Sequence, residues 1–502
     1  MKQHDRNQRM ADWTDLGAAR GRARASMAAG ESQRIPPFLL LSMEGISAAE
    51  QRACADLWMR DRVAASLALR DELHFEYDFA DRPRLRIGYL SADFQQHATA
   101  LLLIESLEAH DRTRFELFAY SYGADSKDGA MRERVERSVE HFTDIRDLGD
   151  AEAATLIHAD GIDILIDLKG YTQATRTAIL LLAPAPLQVN YLGYPGTLGI
   201  ACCDYLITDA FLTPAGSAAD YSEALAYLPH SYQPHGRHVA PDAMPTRAQA
   251  GLPAAGIVFC CFNQAYKITP EMFSVWCQLL LMVDDSVLWL LADAGAEANL
   301  RNAAFGLGIG AERLVFAPDR SQAEHLARLQ LADLVLDTAP YNAHTTASDA
   351  LWAGVPIVTC AGATFASRVA GSVLNAVGLG ELVTNTLDDY FELALALASD
   401  PARLAEIRAR LAASLPTAPL FDVAGYTRDL EALYEAMWAR RQLGLPPAPV
   451  GAVPLDAAVL DVAVLDAAVL PVLPVLPALV GVVPVIAPIA ITVATAAPPF
   501  SR

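Results

Sequence analysis

Positive charge is scarce in this chain. Its 502 residues include 38 lysines and arginines against 59 aspartates and glutamates, which gives a formal net charge of −21. A protein that binds nucleic acid needs a basic surface that displaces counterions from the phosphates. The composition therefore argues against a nucleic-acid partner. A small phosphate-bearing ligand remains compatible with it, since such a ligand needs only one or two local cations and some backbone amides.

CxxC cysteine pairs and an apolar export signal are also absent from the sequence. The seven cysteines are odd in number and lie in apolar contexts, so neither a disulfide framework nor a zinc site is predicted. The N-terminal stretch MKQHDRNQRMADW is polar and has no apolar signal core. The sequence therefore predicts a reducing, cytoplasmic location.

The C-terminal region lacks charge and regular periodicity. After about Pro446 the segment LDAAVLDVAVLDAAVL repeats every five residues, which fits neither a helix nor a strand. Residues 467–501 contain no charged residue, but prolines between 471 and 488 interrupt any helix long enough to span a bilayer. We interpret residues 446–502 as a low-complexity tail, with membrane contact as the less favoured alternative.

The middle of the chain shows an alternation that is typical of parallel α/β sheets. Short apolar segments such as LRIGYLSADF and FELFAYSYG are separated by helical stretches, and the pattern restarts at IVFCCFN after a Pro-, His- and Ala-rich stretch. We predict two Rossmann-like lobes that face a cleft, where ligands bind beyond the carboxyl ends of the strands. The predicted divisions are a helical segment 1–80, a first lobe 81–235, a linker 236–255, a second lobe 256–445 and the tail 446–502.

The strongest candidate site is the segment LDTAPYNAHTTASDALWAGVP, residues 336–356. A strand leads into a loop, and His344, Thr345 and Thr346 open a predicted helix. Free amides at a helix start, aided by the positive end of the helix dipole, suit a pyrophosphate. Asp349, one turn further, suits ribose hydroxyls. The alternative is an ordinary threonine-capped helix with a dipole-compensating aspartate.

A second candidate is CCFNQAYKITPEMF, residues 260–273. The predicted strand ends in Asn263 and Gln264, and Lys267 follows just before a helix start at Pro270. A lysine in a short loop at the carboxyl end of a strand is well placed to meet phosphate oxygens. The alternative is a solvated loop lysine.

The first lobe offers weaker candidates. His97 directly follows the first predicted strand, and His158 lies on the helix before the IDILIDL strand. A lone histidine is more often structural than catalytic, so each is only a candidate. The loop LGYPGTLG, residues 192–199, is able to bring backbone close to a sugar.

Three segments together carry a family resemblance. GYPGTLG, CCFNQAYKI and NAHTTASDALWAGVP, in this order and spacing, resemble the catalytic region of the protein O-linked N-acetylglucosamine transferases, glycosyltransferase family 41, which includes SPINDLY-like members. The resemblance runs from about Leu85 to Trp438. It implies the glycosyltransferase B architecture, UDP-GlcNAc as donor and protein serine or threonine hydroxyls as acceptors. Residues 12–72 resemble the segment that joins tetratricopeptide repeats to this region, and the repeats are missing, as expected of a bacterial type without them.

The resemblance also implies residue roles. His97 matches the usually proposed proton acceptor, His158 a second histidine considered for that role, and Lys267 the lysine that contacts the diphosphate. Gln322 stands where a lysine is expected in the animal members, and the histidine of NAHTT favours GlcNAc over fucose. The implied UDP-GlcNAc-binding positions are Leu192, Gly193, Gln264, Lys267, Gln322, His325, Arg328, His344, Thr345, Thr346 and Asp349.

The implied reaction is a single displacement with inversion at the anomeric carbon. No DxD pair ends a first-lobe strand, so neither a metal nor a cofactor beyond the donor is expected. The base is left open among His97, His158 and the donor's own phosphate. Two alternatives stay open: a non-catalytic nucleotide-sugar-binding protein, and a related glycosyltransferase with another donor or a small-molecule or glycan acceptor.

Overall fold

The computed structural model describes residues 2–31, 35–80, 82–124, 129–200, 202–237 and 244–453. Residues 454–502, which make up most of the predicted low-complexity tail, lie outside the described residues. The strands, in chain order, are β1 (Leu85–Ser91), β2 (Phe115–Ser121), β3 (His141–Asp144), β4 (Ile164–Asp167), β5 (Leu187–Asn190), β6 (Tyr205–Asp209), β7 (Ala224–Leu228), β8 (Val258–Cys261), β9 (Val287–Leu291), β10 (Leu314–Ala317), β11 (Leu334–Leu336), β12 (Ile357–Cys360), β13 (Val383–Thr384) and β14 (Val450–Gly451).

Helices surround these strands and also precede them. They are α1 (Lys2–Arg9), α2 (Leu16–Ala28), α3 (Ala48–Leu73), α4 (Ala98–Ala109), α5 (Ala130–Ser138), α6 (Asp150–Ala159), α7 (Thr177–Leu181), α8 (Pro270–Met282), α9 (Ala294–Gly306), α10 (Gln322–Leu329), α11 (Thr345–Trp352), α12 (Val369–Ala376), α13 (Leu387–Ser399), α14 (Pro401–Ser414) and α15 (Val423–Gln442).

The strands form two parallel sheets, one in each lobe. The first has the order β14-β7-β6-β5-β4-β1-β2-β3 and the second the order β10-β9-β8-β11-β12-β13. Strands β4, β5 and β8 are buried along their whole length, as expected for parallel strands covered by helices on both faces. The predicted α/β architecture with two Rossmann-like lobes and a helical N-terminal segment is confirmed.

Helix α15 and the residues after it, up to Val453, pack differently from the sequence prediction. We placed residues 256–445 in the second lobe, but α15 packs on the first: the Tyr434 and Tyr89 hydroxyls are 3.1 Å apart, and Glu431 is 2.9 Å from His110. Val450 pairs with Ala226, so the described part of the predicted tail adds an edge strand to the first sheet. The alternation of strands and helices does not reveal which core a terminal helix joins.

The N-terminal segment contacts both lobes. Helix α3 packs on α7 of the first lobe. Towards the second lobe, the Trp13 indole donates a hydrogen bond to the Ile268 carbonyl (3.1 Å) and packs on Phe273, with ring centroids 5.6 Å apart. The Phe38 ring lies 5.8 Å from that of Tyr266. This segment therefore bridges the two lobes.

Glu44 makes the stability of the junction between the N-terminal segment and the second lobe depend on pH. Burial, and next a hydrogen bond with Glu271, raise the pKa of Glu44 from 4.5 to about 7. The folded chain therefore binds this proton more tightly than the unfolded chain, and the stabilisation is lost as the pH rises from 4.5 through about 7. We expect Glu44→Gln, which keeps the hydrogen bond without the charge, to raise the Tm at pH 8 by about 1–2 °C, because about 1 kcal/mol shifts the Tm less in a chain of 502 residues than in a smaller domain.

Thermal unfolding of parent and variant at pH 5 and pH 8 measures this effect. The gain in Tm is expected to be clearly smaller at pH 5, where the folded parent is already protonated. Equal gains at the two pH values would show that the Glu44 charge does not weaken the junction.

Candidate functional site

A cleft of about 1210 Å³ lies between the lobes, beyond the carboxyl ends of strands from both sheets. Such crevices are where open α/β sheets bind ligands. The sequence-predicted residues that line it are His97, Leu192, Gly193, Gln264, Lys267, His344, Thr345 and Thr346. The structure thus brings most of the predicted site residues together.

Lys267 is a buried cation in the second-lobe wall of this cleft. It ends a short 3-10 turn, Ala265–Lys267, that follows β8, and its side chain is almost fully buried. Its Nζ donates to the Asn342 carbonyl at 2.8 Å and lies 3.9 Å from the centroid of the Tyr341 ring, a cation–π contact. Burial lowers the pKa of Lys267 to about 8, against the opposing charge of Asp337. The group is therefore mostly protonated at neutral pH.

The start of α11 lies in the same cleft. Asp337, just after β11, fixes the preceding loop by accepting hydrogen bonds from the Ala343 amide (2.6 Å) and the Thr359 hydroxyl (2.6 Å). Helix α11 then begins at Thr345. Among the described residues, the Thr345 and Thr346 amides donate to no other protein group. Free amides and a helix dipole thus face the cleft that Lys267 lines, which suits a diphosphate.

Asp349 belongs to a polar cluster on α10 and α11. It accepts hydrogen bonds from Nε2 of His235 (3.1 Å) and from Nε2 of Gln322 (3.2 Å). Burial alone would raise the pKa of Asp349, but the hydrogen bond and charge of His235 and the further partners outweigh burial and lower it. The carboxylate is therefore charged and keeps lone pairs for a hydroxyl partner.

His325 and Arg328 adjoin this cluster around Phe262. The His325 ring lies 5.4 Å from that of Phe262, and the Arg328 guanidinium is 4.7 Å from the same ring. Burial lowers the pKa of His325, so its imidazole is neutral. Gln322, His325, Arg328 and Asp349 do not line the main cleft. His325 lines a small pocket together with Phe262, Asn263 and Thr346.

His97 faces these groups from the first lobe. It caps α4, where its Nδ1 accepts a hydrogen bond from the Thr99 amide (3.2 Å) and lies 3.4 Å from Oδ2 of Asp93. Burial, opposed by Asp93, lowers the pKa of His97. A neutral imidazole that is half-exposed in a cleft is suited to accept a proton.

Leu192 and Gly193 form a tight turn against the loop after β4. Leu192 has a positive φ of 65°. A Cβ on Gly193 would lie 1.9 Å from the Leu168 carbonyl oxygen, so only glycine allows this approach. The sequence predicts that this loop brings backbone close to a sugar. In the structure the loop also makes a close backbone contact within the protein, between Gly193 and Leu168.

His158 is not brought to the cleft. It lies on α6, and its ring stacks on that of Phe75 at 4.3 Å, with Tyr77 at 6.0 Å. The interpretation of His158 as a candidate base is corrected: the histidine packs the N-terminal segment against the first lobe. Periodicity places it on a helix but does not show which face of the helix meets the cleft.

Several residues of the site were missed from the sequence. Gln233 lines the cleft and donates to the Ser348 hydroxyl of α11 (2.8 Å). Asp93 and Lys169, at the ends of β1 and β4, also line it. The rule that selected Lys267, a polar residue at the carboxyl end of a parallel strand, applies equally to them. Gln233 and His235 lacked such a signal, because they fall at the edge of the predicted linker.

Comparisons with known proteins decide the family. A family model described as glycosyl transferase family 41 matches residues 61–240 and 233–430. The chain belongs to glycosyl transferase family 41. One curated relative is a probable UDP-N-acetylglucosamine–peptide N-acetylglucosaminyltransferase SEC of Arabidopsis thaliana, which is 40% identical over 71% of this chain and 37% of the relative. Another is a UDP-N-acetylglucosamine–peptide N-acetylglucosaminyltransferase of Caenorhabditis elegans, which is 32% identical over 72% of this chain and 41% of the relative.

A solved member of the family has a similar fold. An O-GlcNAc transferase mutant of Thermobaculum terrenum is 29% identical, with a TM-score of 0.67 over 88% of this chain and 97% of that structure. This chain spans only about two fifths of the length of its curated family 41 relatives. The residues that the family model matches include all the sequence-predicted residues that line the cleft.

Candidate membrane-spanning helices and metal-binding clusters are both absent from the part of the chain that the structure describes. None of its helices is long and apolar enough to cross a membrane. No group of three or more histidine, cysteine, aspartate or glutamate side chains there is placed to hold a metal ion.

The Gly193 contact yields a stability prediction. Gly193→Ala places a methyl group against the Leu168 carbonyl, and we expect the backbone strain to cost roughly 1–3 kcal/mol of unfolding free energy. Gly306→Ala at the end of α9 is the matched control, because nothing lies within 4 Å of its added Cβ. Chemical denaturation of both variants measures the difference, and equal midpoints would show that the tight approach is not needed.

Proposed function

We propose that this chain transfers N-acetylglucosamine from UDP-GlcNAc to serine or threonine hydroxyls of proteins. The observation that carries the proposal is the buried cation Lys267 beside the free amides of α11, in one cleft with the neutral imidazole of His97. The curated relatives named above carry this donor and a peptide acceptor in their names.

The second lobe supplies charge stabilisation for the leaving group. As the glycosidic bond breaks, negative charge grows on the diphosphate, and an ammonium in a poorly solvated cleft stabilises that charge strongly. Lys267 and the amides of Thr345 and Thr346 are the donors. On this view Asp349 binds the ribose hydroxyls, with Gln322, His325 and Arg328 around the uridine. Leu192, Gly193, Gln264 and His344 contact the sugar or diphosphate.

The first lobe supplies the acceptor side of the reaction. The hydroxyl attacks the anomeric carbon from the side opposite to UDP, so one displacement inverts the configuration. His97 is the protein group we propose as proton acceptor, and the donor's own phosphate is the alternative. The cationic Lys267 and the helix dipole perform the charge compensation that a divalent cation would otherwise provide, so the reaction is proposed to need no metal.

The cysteines support a reducing compartment. All seven are free, and most are buried. We propose a cytoplasmic location with protein acceptors and without nucleic-acid or membrane partners. No described feature favours the alternatives of a non-catalytic nucleotide-sugar-binding protein or of another donor or acceptor, and they become outcomes of the experiments below.

The first experiment incubates the chain with labelled UDP-GlcNAc and a bacterial lysate. We expect UDP release together with proteins whose intact mass is increased by one N-acetylhexosamine. UDP binding without release would support the non-catalytic alternative. UDP release with labelled small molecules or glycans and unlabelled proteins would support another acceptor class.

Lys267→Ala tests the charge-stabilising role. We expect kcat to fall by about 10²–10³, the usual scale for removing one such donor. The affinity for UDP should fall less, because the charge on the diphosphate grows as the bond breaks. His97→Ala is the comparison: it should impair transfer while leaving UDP binding nearly unchanged. A folded Lys267→Ala protein that transfers sugar at the parent rate would contradict the mechanism.

Donor choice and metal dependence are tested with the unmodified chain. UDP-GlcNAc is expected to raise the Tm more than UDP-glucose or GDP-fucose at equal concentration, since tighter binding to the native state stabilises it more. Transfer is expected to proceed unchanged in excess EDTA. A larger Tm increase with GDP-fucose would overturn the donor assignment, and activity that EDTA abolishes and Mg²⁺ restores would overturn the metal-independent mechanism.

A further inference from the structure

A second cavity, of about 450 Å³, lies in the first lobe at the end of the sheet opposite the cleft. Its walls include Leu187 and Tyr205, the first residues of β5 and β6, together with the end of α3 and the loop after α15. The cleft lies beyond the carboxyl ends of the strands, and the two spaces share no described lining residue. Small-molecule sites usually measure about 300–1,000 Å³, so the cavity is large enough for a ligand of its own.

Gln188 leaves a hydrogen-bond acceptor unused in the wall of this cavity. The residue is only 6% exposed, and its Nε2 donates to the carbonyls of Leu180 (2.8 Å) and Cys202 (3.0 Å). These carbonyls fix the orientation of the amide, because a flipped group would direct its oxygen at two other oxygens. Oε1 accepts no hydrogen bond from any described residue. Since a buried acceptor without a partner is costly, the wall suits a ligand that donates a hydrogen bond.

Two arginines that line the cavity have unused donors. Arg70 lies in the last turn of α3, and its guanidinium forms no hydrogen bond or ion pair with another described residue. Arg441 donates through Nε to the Pro186 carbonyl at 3.1 Å, and its guanidinium lies 5.1 Å from the centroid of the Phe79 ring. Its two terminal nitrogens have no hydrogen-bond partner within the described ranges. Guanidinium groups with free N–H donors suit an oxyanion, above all a phosphate.

Asp204 places negative charge beside these arginines. Its carboxylate accepts a hydrogen bond from the Gln188 backbone amide at 2.9 Å. Burial raises the pKa of Asp204, and the charges of Arg441 and Arg70 are among the effects that oppose this rise. The carboxylate repels a bare anion but accepts hydrogen bonds from hydroxyl groups. The cavity therefore suits a ligand that carries an anionic group and hydroxyls together.

We propose that this cavity binds a small hydroxylated phosphate, such as a sugar phosphate, at a site separate from the transfer reaction. Arg70 and Arg441 bind the phosphate. Gln188 and Asp204 accept hydrogen bonds from the hydroxyls, and Met437 packs on the carbon skeleton. The inference uses no part of the proposed transfer mechanism, so either can fail without the other.

Calorimetric titration of the full chain tests the ligand class. Glucose 6-phosphate is the probe, and inorganic phosphate, glucose and serine are the comparison ligands. We expect a Kd for glucose 6-phosphate below about 1 mM and weaker binding of the other three, because none of them combines a phosphate with several hydroxyls. Absence of glucose 6-phosphate binding would overturn the site, and tighter binding of serine or of inorganic phosphate would overturn the ligand class.

Arginine variants locate the phosphate. Arg441→Gln is expected to weaken glucose 6-phosphate binding about tenfold, and the more exposed Arg70→Gln about threefold. Lys267→Ala should bind the probe as the parent does, because Lys267 lines the other cleft. Arg403→Gln, an exposed substitution in α14, is the matched control. Binding that Lys267→Ala abolishes and both cavity variants retain would contradict the proposal, and Arg70→Gln decides alone if Arg441→Gln does not fold.

Asp204→Asn tests how the hydroxyls are recognised. Asparagine keeps an oxygen for the Gln188 amide but removes the charge. Inorganic phosphate should then bind more tightly, because the repulsion is gone, while the preference for glucose 6-phosphate over inorganic phosphate should shrink. A preference that stays the same or grows would contradict the role assigned to Asp204.

Cys203 reports occupancy of the cavity itself. It lines the cavity and is the one of the seven free cysteines that is not buried. Burial raises the pKa of its thiol, so slow labelling with iodoacetamide at about pH 9, followed by peptide mass mapping, measures its accessibility. We expect saturating glucose 6-phosphate to slow the labelling of Cys203 severalfold, with glucose as the inactive control. An unchanged rate with bound probe would show that the probe binds elsewhere and would overturn the proposal.

Discussion

The buried ammonium group of Lys267 is the constraint on which the second lobe depends. Removing a charge from water is costly unless polar partners compensate for it. Here the partners are the Asn342 carbonyl, the face of Tyr341 and the nearby charge of Asp337. These residues lie in the loop after β11, and Lys267 lies in the loop after β8. Because β8 and β11 are neighbours in the sheet, the fold itself brings the cation to the start of α11.

The two lobes share the site through a few specific contacts. Gln233, on the segment that leaves the first lobe, donates to Ser348 of α11. Asp209 at the end of β6 accepts a hydrogen bond from Ser372 of α12 at 2.6 Å. The chain also returns to the first lobe through α15. Helices α11 and α12 of the second lobe are thus held in part by residues of the first lobe.

One local rule was enough to find residues of the cleft from the sequence. Polar residues at the carboxyl ends of apolar strands predicted Lys267 and the Thr345–Thr346 helix start, and both line the cleft. The same rule covers Asp93 and Lys169, which were not selected, although Asp93 lies in the same short segment as His97. The positions of His158, Gln233 and α15 relative to the cleft depend on tertiary packing instead. Which face of a helix meets the cleft, and which core a terminal helix joins, are set by contacts between residues far apart in sequence.

We propose that Lys267 is protonated before an anionic diphosphate binds. Its pKa of about 8 in the free protein makes this testable through proton linkage. Calorimetric titration of UDP between pH 7.5 and 9.5, in buffers of different ionisation enthalpy, measures proton uptake on binding. We expect uptake near pH 8 and weaker binding above it, because a bound diphosphate raises the pKa of the ammonium group. Binding without proton uptake, and with constant affinity across this range, would contradict the claim.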